Sequence, residues 1–146
     1  MILAENPGSM NEQLIYIIDD DKANNQLTRI MLEDAGLTEF KQFRMAGDAL
    51  AELKKAADEN LAAEYPAVLL LDINMPAMDG WEFLTEFRKL PTEYTSIPKI
   101  YLLTSSDYPG DLEKAKQFPE VIGFLSKPIT EEVAGELKEK YFRTEN

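Results

Sequence analysis

A parallel β-sheet with helices packed on both faces is the architecture this chain predicts, and three observations predict it. Five short apolar runs alternate with five stretches of helical periodicity. The runs are nearly continuous in hydrophobicity, as strands buried on both sides require, whereas strands with one wet face alternate. The length of 146 residues suffices for one domain with a sizeable core but not for two of ordinary size.

The first run, "LIYII" (Leu14 to Ile18), leads into a helix with Ala23, Leu27, Ile30 and Met31 at helical spacing, closed by Gly36. A weaker run, "EFKQF" (Glu39 to Phe43), precedes a helix opened by Gly47-Asp48 and carrying Leu50, Leu53 and Ala57. After "AVLLL" (Ala67 to Leu71) come Leu84 and Phe87, and after "KIYLL" (Lys99 to Leu103) come Leu112 and Ala115. The last run, "VIGFL" (Val121 to Leu125), is followed by Val133, Leu137 and Tyr141. Each set is expected to form one buried stripe, with Pro66, Pro91 and Pro98 marking loops. There is no internal repeat and no low-complexity segment.

The opening nine residues, "MILAENPGS", end in Gly8-Ser9 before a second methionine, Met10, and lack the basic start and long apolar core of a signal peptide. Residues 1–9 are therefore read as an expression-tag remnant and residues 10–146 as the single domain. Nothing in them implies secretion, and a cytoplasmic location is expected.

Composition narrows the chemistry. Hydrophobic residues make up 45% and charged ones 29%, a globular balance, and no apolar stretch approaches a membrane span. With 27 acidic against 15 basic residues the formal charge is −12, a field that repels phosphate backbones and anionic lipids. Neither nucleic acid nor a membrane is an expected partner. The absence of Cys excludes disulfides, thiolate metal sites and cysteine nucleophiles, and the absence of His removes the commonest general base and metal ligand. Chemistry is left to carboxylates, hydroxyls and lysines.

Open α/β sheets bind ligands beyond the carboxyl ends of their strands. Those ends carry Asp19-Asp20-Asp21, then Asp72, then Thr104-Ser105-Ser106, then Lys127-Pro128. Acids, a hydroxyl and an ammonium are expected to converge on one rim. The acids after the first run suit a helix N-terminus as caps. Facing Asp72 across a rim, however, they repel unless a cation lies between them, and oxygen ligands without His or Cys favour Mg²⁺. Asp72, followed by Asn74, Met75-Pro76 and Asp79-Gly80, fits a turn. Its approach along a greasy run fits a carboxylate nucleophile beside a metal, able to take up a phosphoryl group. Lys127 would pass for a surface lysine elsewhere; after the last run it is placed to pair with Asp72 and then with a phosphoryl oxygen. The Lys127-Pro128 bond is a candidate cis peptide that would aim the lysine. Thr104 either simply ends a strand or donates to a phosphoryl oxygen and reports the modification by a loop shift.

Four segments, "IIDDDKANNQL", "LLLDINMPAMDG", "IYLLTSS" and "GFLSKPI", together and in this order resemble the signature segments of response regulator receiver domains, over about Gln13 to Phe142. The resemblance implies a flavodoxin-like (βα)₅ fold, doubly wound, with strand order 2-1-3-4-5. By motif position Asp72 resembles the phosphoacceptor, and Asp19 and Asp20 the acidic pair that joins it in holding Mg²⁺. Asn74 would give the metal a backbone carbonyl, Thr104 the switch hydroxyl and Lys127 the phosphate-binding ammonium. Phe124, three before the lysine, matches the aromatic that changes rotamer on activation.

The implied function is a phosphoacceptor of a two-component or phosphorelay system. It would be loaded by a histidine kinase or histidine phosphotransfer protein and would signal to an unidentified downstream protein. No enzymatic activity is implied beyond its own phosphorylation and dephosphorylation. The chain closes at "YFRTEN" after the last helical pattern, so a stand-alone receiver is expected. Its output face would be the last strand and the helices before and after it.

Departures from the pattern are Ser105, where the family often has alanine, and the pair Asn74 and Ser106, which tune the lifetime of the phosphoryl group. "ADENLAAEYP" and "LPTEYTSIP" are longer than a minimal receiver needs and are expected to shape a partner surface. A phosphatase of the haloacid dehalogenase type would need a second Asp two residues after the nucleophile, where Asn74 stands and cannot serve as general acid. An unphosphorylated pseudo-receiver scaffold is the other alternative, and the full set of acids, hydroxyl and lysine argues against it.

Overall fold

The computed structural model describes residues 13–61, 64–105 and 109–142. Residues 1–9, read above as an expression-tag remnant, and Ser106 lie outside these residues. Five strands run parallel: β1 (Ile15–Ile18), β2 (Phe40–Phe43), β3 (Val68–Asp72), β4 (Lys99–Thr104) and β5 (Val121–Ser126), in the order β2-β1-β3-β4-β5. Among the described residues they alternate with six helices: α1 (Lys22–Asp34), α2 (Ala46–Asp58), α3 (Gly80–Phe87), α4 (Thr92–Thr95), α5 (Pro109–Ala115) and α6 (Glu131–Tyr141). The helix beyond the five expected is α4, a single turn within "LPTEYTSIP", and the ring of Tyr94 on it packs tilted against Tyr65 of the other long segment, centroids 5.2 Å apart. The two segments that exceed a minimal receiver are thus joined to each other.

Strand alternation divides the core into two layers. Tyr16, Ile18, Leu69, Leu71, Ile100 and Leu102 face α2 and α3, with Phe118 closing that layer beyond α5. Ile15, Ile17, Val68, Leu70 and Leu103 face α1 and α6 through Leu32, Ala134 and Leu137. The central strands β1 and β3 are buried along their full length, whereas the edge strands β2 and β5 are mostly half-exposed. Central burial explains why two runs are purely apolar and the second, at an edge, is weak.

Helix α1 departs from its expected stripe. Its buried residues are Asn25, Thr28 and Leu32, while Leu27 and Ile30 are 42% and 38% exposed, Ala23 is exposed and only Met31 turns partly inward. The helix starts at Asp21, whose Oδ1 accepts from Asn24 N at 3.0 Å, and the bonds from Asn25 Nδ2 to Asp19 O and Phe43 O hold Asn25 inward. Leu112 of α5 likewise stands 52% exposed rather than buried. The stripes of α2, α3 and α6 face inward through Leu50, Leu53, Leu84, Phe87 and Leu137.

Truncating the inner and outer residues of α1 should therefore have opposite consequences. Leu32→Ala is expected to lower unfolding free energy by about 3 kcal/mol, and Leu27→Ala to stay within about 0.5 kcal/mol of the parent, both measured by urea denaturation. Equal losses would contradict the observed rotation of the helix.

Candidate functional site

The site lies at the carboxyl ends of β1 and β3, neighbours in the sheet whose outgoing connections diverge, β1 leading to α1 on one face and β3 to α3 on the other. Asp19 follows directly on β1, and Asp72 is the last residue of β3. Both side chains are nearly inaccessible, Asp19 at 0% and Asp72 at 2% exposure, because the strands beneath them are wholly buried. Asp20 is half-buried, and carboxylate oxygens of Asp19, Asp20 and Asp72 lie within 4.8 Å of one another. Asp21 does not join them; it caps α1, as an acid at a helix N-terminus should.

Lys127, immediately after β5, reaches the two buried acids. Its Nζ stands 3.1 Å from Asp72 Oδ2 and 3.7 Å from Asp19 Oδ2. These are ion-pair approaches without hydrogen-bond alignment, and both Oδ2 atoms are buried with no hydrogen-bond partner. The Lys127-Pro128 peptide is cis, and Lys127 N donates to Thr104 O at 2.8 Å, tying the lysine's backbone to the end of β4. Thr104 itself is half-buried at that end. Asn74 is exposed, its N–H directed at Asp72 Oδ1 at 3.3 Å. Phe124 lies on β5 opposite Leu102 and packs against the α2/α3 layer of the core.

The turn after β3 is held by close backbone approach. Gly80 N donates to Ile73 O at 2.8 Å, and a Cβ on Gly80 would lie 2.8 Å from Asp72 O and 3.0 Å from Ile73 Cα. Only glycine fits there. A reciprocal cap follows, with Asp79 Oδ1 accepting from Glu82 N at 2.8 Å and Glu82 Oε1 from Asp79 N at 3.0 Å. Asp72 is thereby anchored from β3 below and α3 above.

Charge in this cluster is unbalanced, three acids facing one ammonium. Burial, followed by the charge of Asp19, pushes the Asp72 carboxyl up to about 7 against the downward pull of Lys127. Burial alone would lower the Lys127 ammonium, but the carboxylates of Asp72, Asp19 and Asp20 outweigh it and leave it above its ordinary value. Orphaned buried carboxylate oxygens beside a half-buried third acid suit a hard divalent cation, and the all-oxygen donor set suits Mg²⁺.

The profile of the response regulator receiver domain matches residues 15–138. The chain belongs to that family. It is thus a receiver of two-component signalling, and receivers are signalling proteins that bind Mg²⁺ at an acidic pocket. The receiver is 35% identical over 131 residues to the cyclic di-GMP phosphodiesterase response regulator RpfG of Xanthomonas campestris, covering 86% of this chain and 32% of that protein. The chain spans less than two thirds of the length of the first curated relatives it matches. A two-component response regulator from Cytophaga hutchinsonii superposes with a TM-score of 0.75 at 27% identity, over 88% of this chain and 95% of that one. A response regulator receiver protein from Dyadobacter fermentans gives 0.73 at 27% identity, over 90% and 98%. These structures share the flavodoxin-like arrangement and the strand order 2-1-3-4-5. Among the described residues no helix is long and apolar enough to cross a membrane.

The sequence reading named every side chain in this cluster but missed Asn25, buried at 3% exposure beneath Asp19. The available signal was an asparagine at the fourth position of a helix, between Ala23 and Leu27, two apolar positions that face solvent.

The raised Asp72 carboxyl gives a pH test on metal-free protein. In the unfolded chain Asp72 ionises near 3.9, but in the folded state near 7. Between those values the unfolded state has lost a proton that the folded state keeps, so raising the pH favours unfolding. Asp72 thus stabilises below about pH 4 and loses that contribution as pH rises through 7. In chelator, stability by denaturant titration is expected to fall more steeply from pH 5 to pH 8 in the parent than in Asp72→Asn. Parallel profiles would contradict the electrostatic account.

Proposed function

We propose that this receiver takes a phosphoryl group from a phosphohistidine donor onto Asp72 with Mg²⁺ bound, and passes the change on through protein contacts. The observation that carries this reading is the pairing of two buried carboxylates, Asp72 and Asp19, with a single reaching ammonium, Lys127. The acids that would hold the cation are Asp19, Asp20 and Asp72, with Asn74 supplying a backbone carbonyl. When bound, the ion neutralises the acids and the developing charge on the transferred group.

Asp72 is the nucleophile. A carboxylate oxygen forms the new bond to phosphorus as the bond from phosphorus to the donor's imidazole nitrogen breaks, the electron pair leaving on that nitrogen. Lys127, close to Asp72 Oδ2 at rest, exchanges that contact for a phosphoryl oxygen and holds its charge. Thr104, at the end of β4 and joined to the lysine's backbone, donates its hydroxyl to another phosphoryl oxygen. Nothing in the scheme requires a diffusible substrate, so the protein acts catalytically only on its own phosphorylation state.

Readout is assigned to α5, β5 and α6. Phe124 lines a groove of about 320 Å³ with Leu112, Ala115, Phe118 and Ile122, of which Leu112 and Ile122 are largely exposed. A rotamer change of Phe124 following Thr104 alters the wall of that groove. On the donor side, the outward face of α1, which follows the acid loop, exposes Leu27 and Ile30, and a phosphohistidine protein would rest there. The donor is a histidine kinase or phosphotransfer protein.

Intact-protein mass after incubation with acetyl phosphate and Mg²⁺ tests the proposal. One phosphoryl adduct is expected, lost with chelator, lost on hydroxylamine treatment and absent in Asp72→Asn. Lys127→Ala is expected to accept the group but fail to pass on the signal. No adduct, with no response to beryllofluoride, would leave the pseudo-receiver scaffold as the surviving reading.

A further inference from the structure

Asn25 sits on the inner face of α1, where a leucine would bury more apolar surface, yet all of its amide capacity goes to the acid loop and the neighbouring edge strand. Its Nδ2 donates to Asp19 O at 2.9 Å and to Phe43 O at 3.1 Å, and its Oδ1 accepts from Gln42 Nε2 at 2.6 Å. Phe43 O also accepts from Asp19 N at 3.0 Å, so Asn25 and Asp19 share one anchor on β2. Gln42 is oriented in turn by Arg29, whose Nη1 donates to Gln42 Oε1 at 3.3 Å while its Nε pairs with Glu33 at 3.0 Å. Donors therefore run in one direction, from Arg29 to Gln42 to Asn25 to the backbone at Asp19.

The side chain of Asp19 is lightly held. Its Oδ1 accepts from Asp21 N at 3.0 Å, and its Oδ2 is buried without a hydrogen-bond partner. Its aim is set instead by the peptide planes on either side of its Cα, and the Asp19 carbonyl fixed by Asn25 belongs to one of them. We infer that Asn25 is a positioning residue for the Mg²⁺ site: it holds the Asp19 carbonyl and ties the acid loop to β2, so that Asp19 and Asp20 meet Asp72. The inference rests on the function proposed above. Groups that orient the residues holding a metal commonly affect its affinity about tenfold or more.

The test compares Mg²⁺ affinity, by isothermal titration calorimetry, with metal-free melting temperature, for the parent, Asn25→Ala and Leu32→Ala. Leu32 lies two turns further along the same face of α1 and packs into the hydrophobic core with Ile15, Ile17 and Val68. In Asn25→Ala the dissociation constant is expected to rise about tenfold, whereas Leu32→Ala melts lower still yet stays within about twofold of the parent. Gln42→Ala alters a side chain at an exposed edge position, keeps the fold and frees the Asn25 amide; a rise of about threefold is expected. Asn25→Ala within twofold of the parent, or Leu32→Ala rising as far, would show a merely structural residue and overturn the inference. Should Asn25→Ala not fold, an unchanged affinity in Gln42→Ala overturns it equally. A parent chain that takes up no Mg²⁺ instead overturns the function proposal and this inference with it, an outcome distinct from all the others.

Discussion

Three carboxylates with oxygens inside 4.8 Å of one another are the constraint around which the molecule is organised. Charges at that spacing, two of them removed from water, cannot all persist beside a single lysine. The folded chain sustains the arrangement because the backbone beneath two of the acids is fixed: Asp72 ends a strand buried along its length, and Asp19 follows another. Burial first, and the charge of Asp19 second, raise the proton affinity of Asp72, and two buried carboxylate oxygens are left without hydrogen-bond partners. Both are relieved by positive charge.

The parallel sheet supplies that fixity. Because β1 and β3 are adjacent and their outgoing helices lie on opposite faces, the crevice between them is open at the top and closed below by two layers of apolar side chains. Lys127 and Thr104 arrive from β5 and β4, joined through the bond from Lys127 N to Thr104 O. Phe124 shares β5 with the residue before the lysine.

Much of this was legible in the chain. Buried central strands announce themselves as unbroken apolar runs, and the residues just after such runs reach the rim with little ambiguity, which is why Asp19, Asp72, Thr104 and Lys127 could be placed. Helix rotation was less legible. Ala23, Leu27, Ile30 and Met31 form a regular stripe, but the hydrogen-bonding needs of Asp19 and Phe43 hold Asn25 inward instead. A pattern of hydrophobicity does not record which face must satisfy backbone carbonyls. The turn α4 escaped notice for a related reason: four residues are too few for periodicity to register.

The division of α1 into two faces has a consequence for how such a protein diversifies. Its inner residues, Asn25, Thr28 and Leu32, are committed to the acid loop and the core, whereas Leu27 and Ile30 are exposed at 42% and 38%. Substitutions at Leu27 and Ile30 can accumulate without breaking the hydrogen bonds that hold the acid loop. One helix therefore lets duplicated copies drift apart in the company they keep while inheriting the same reaction.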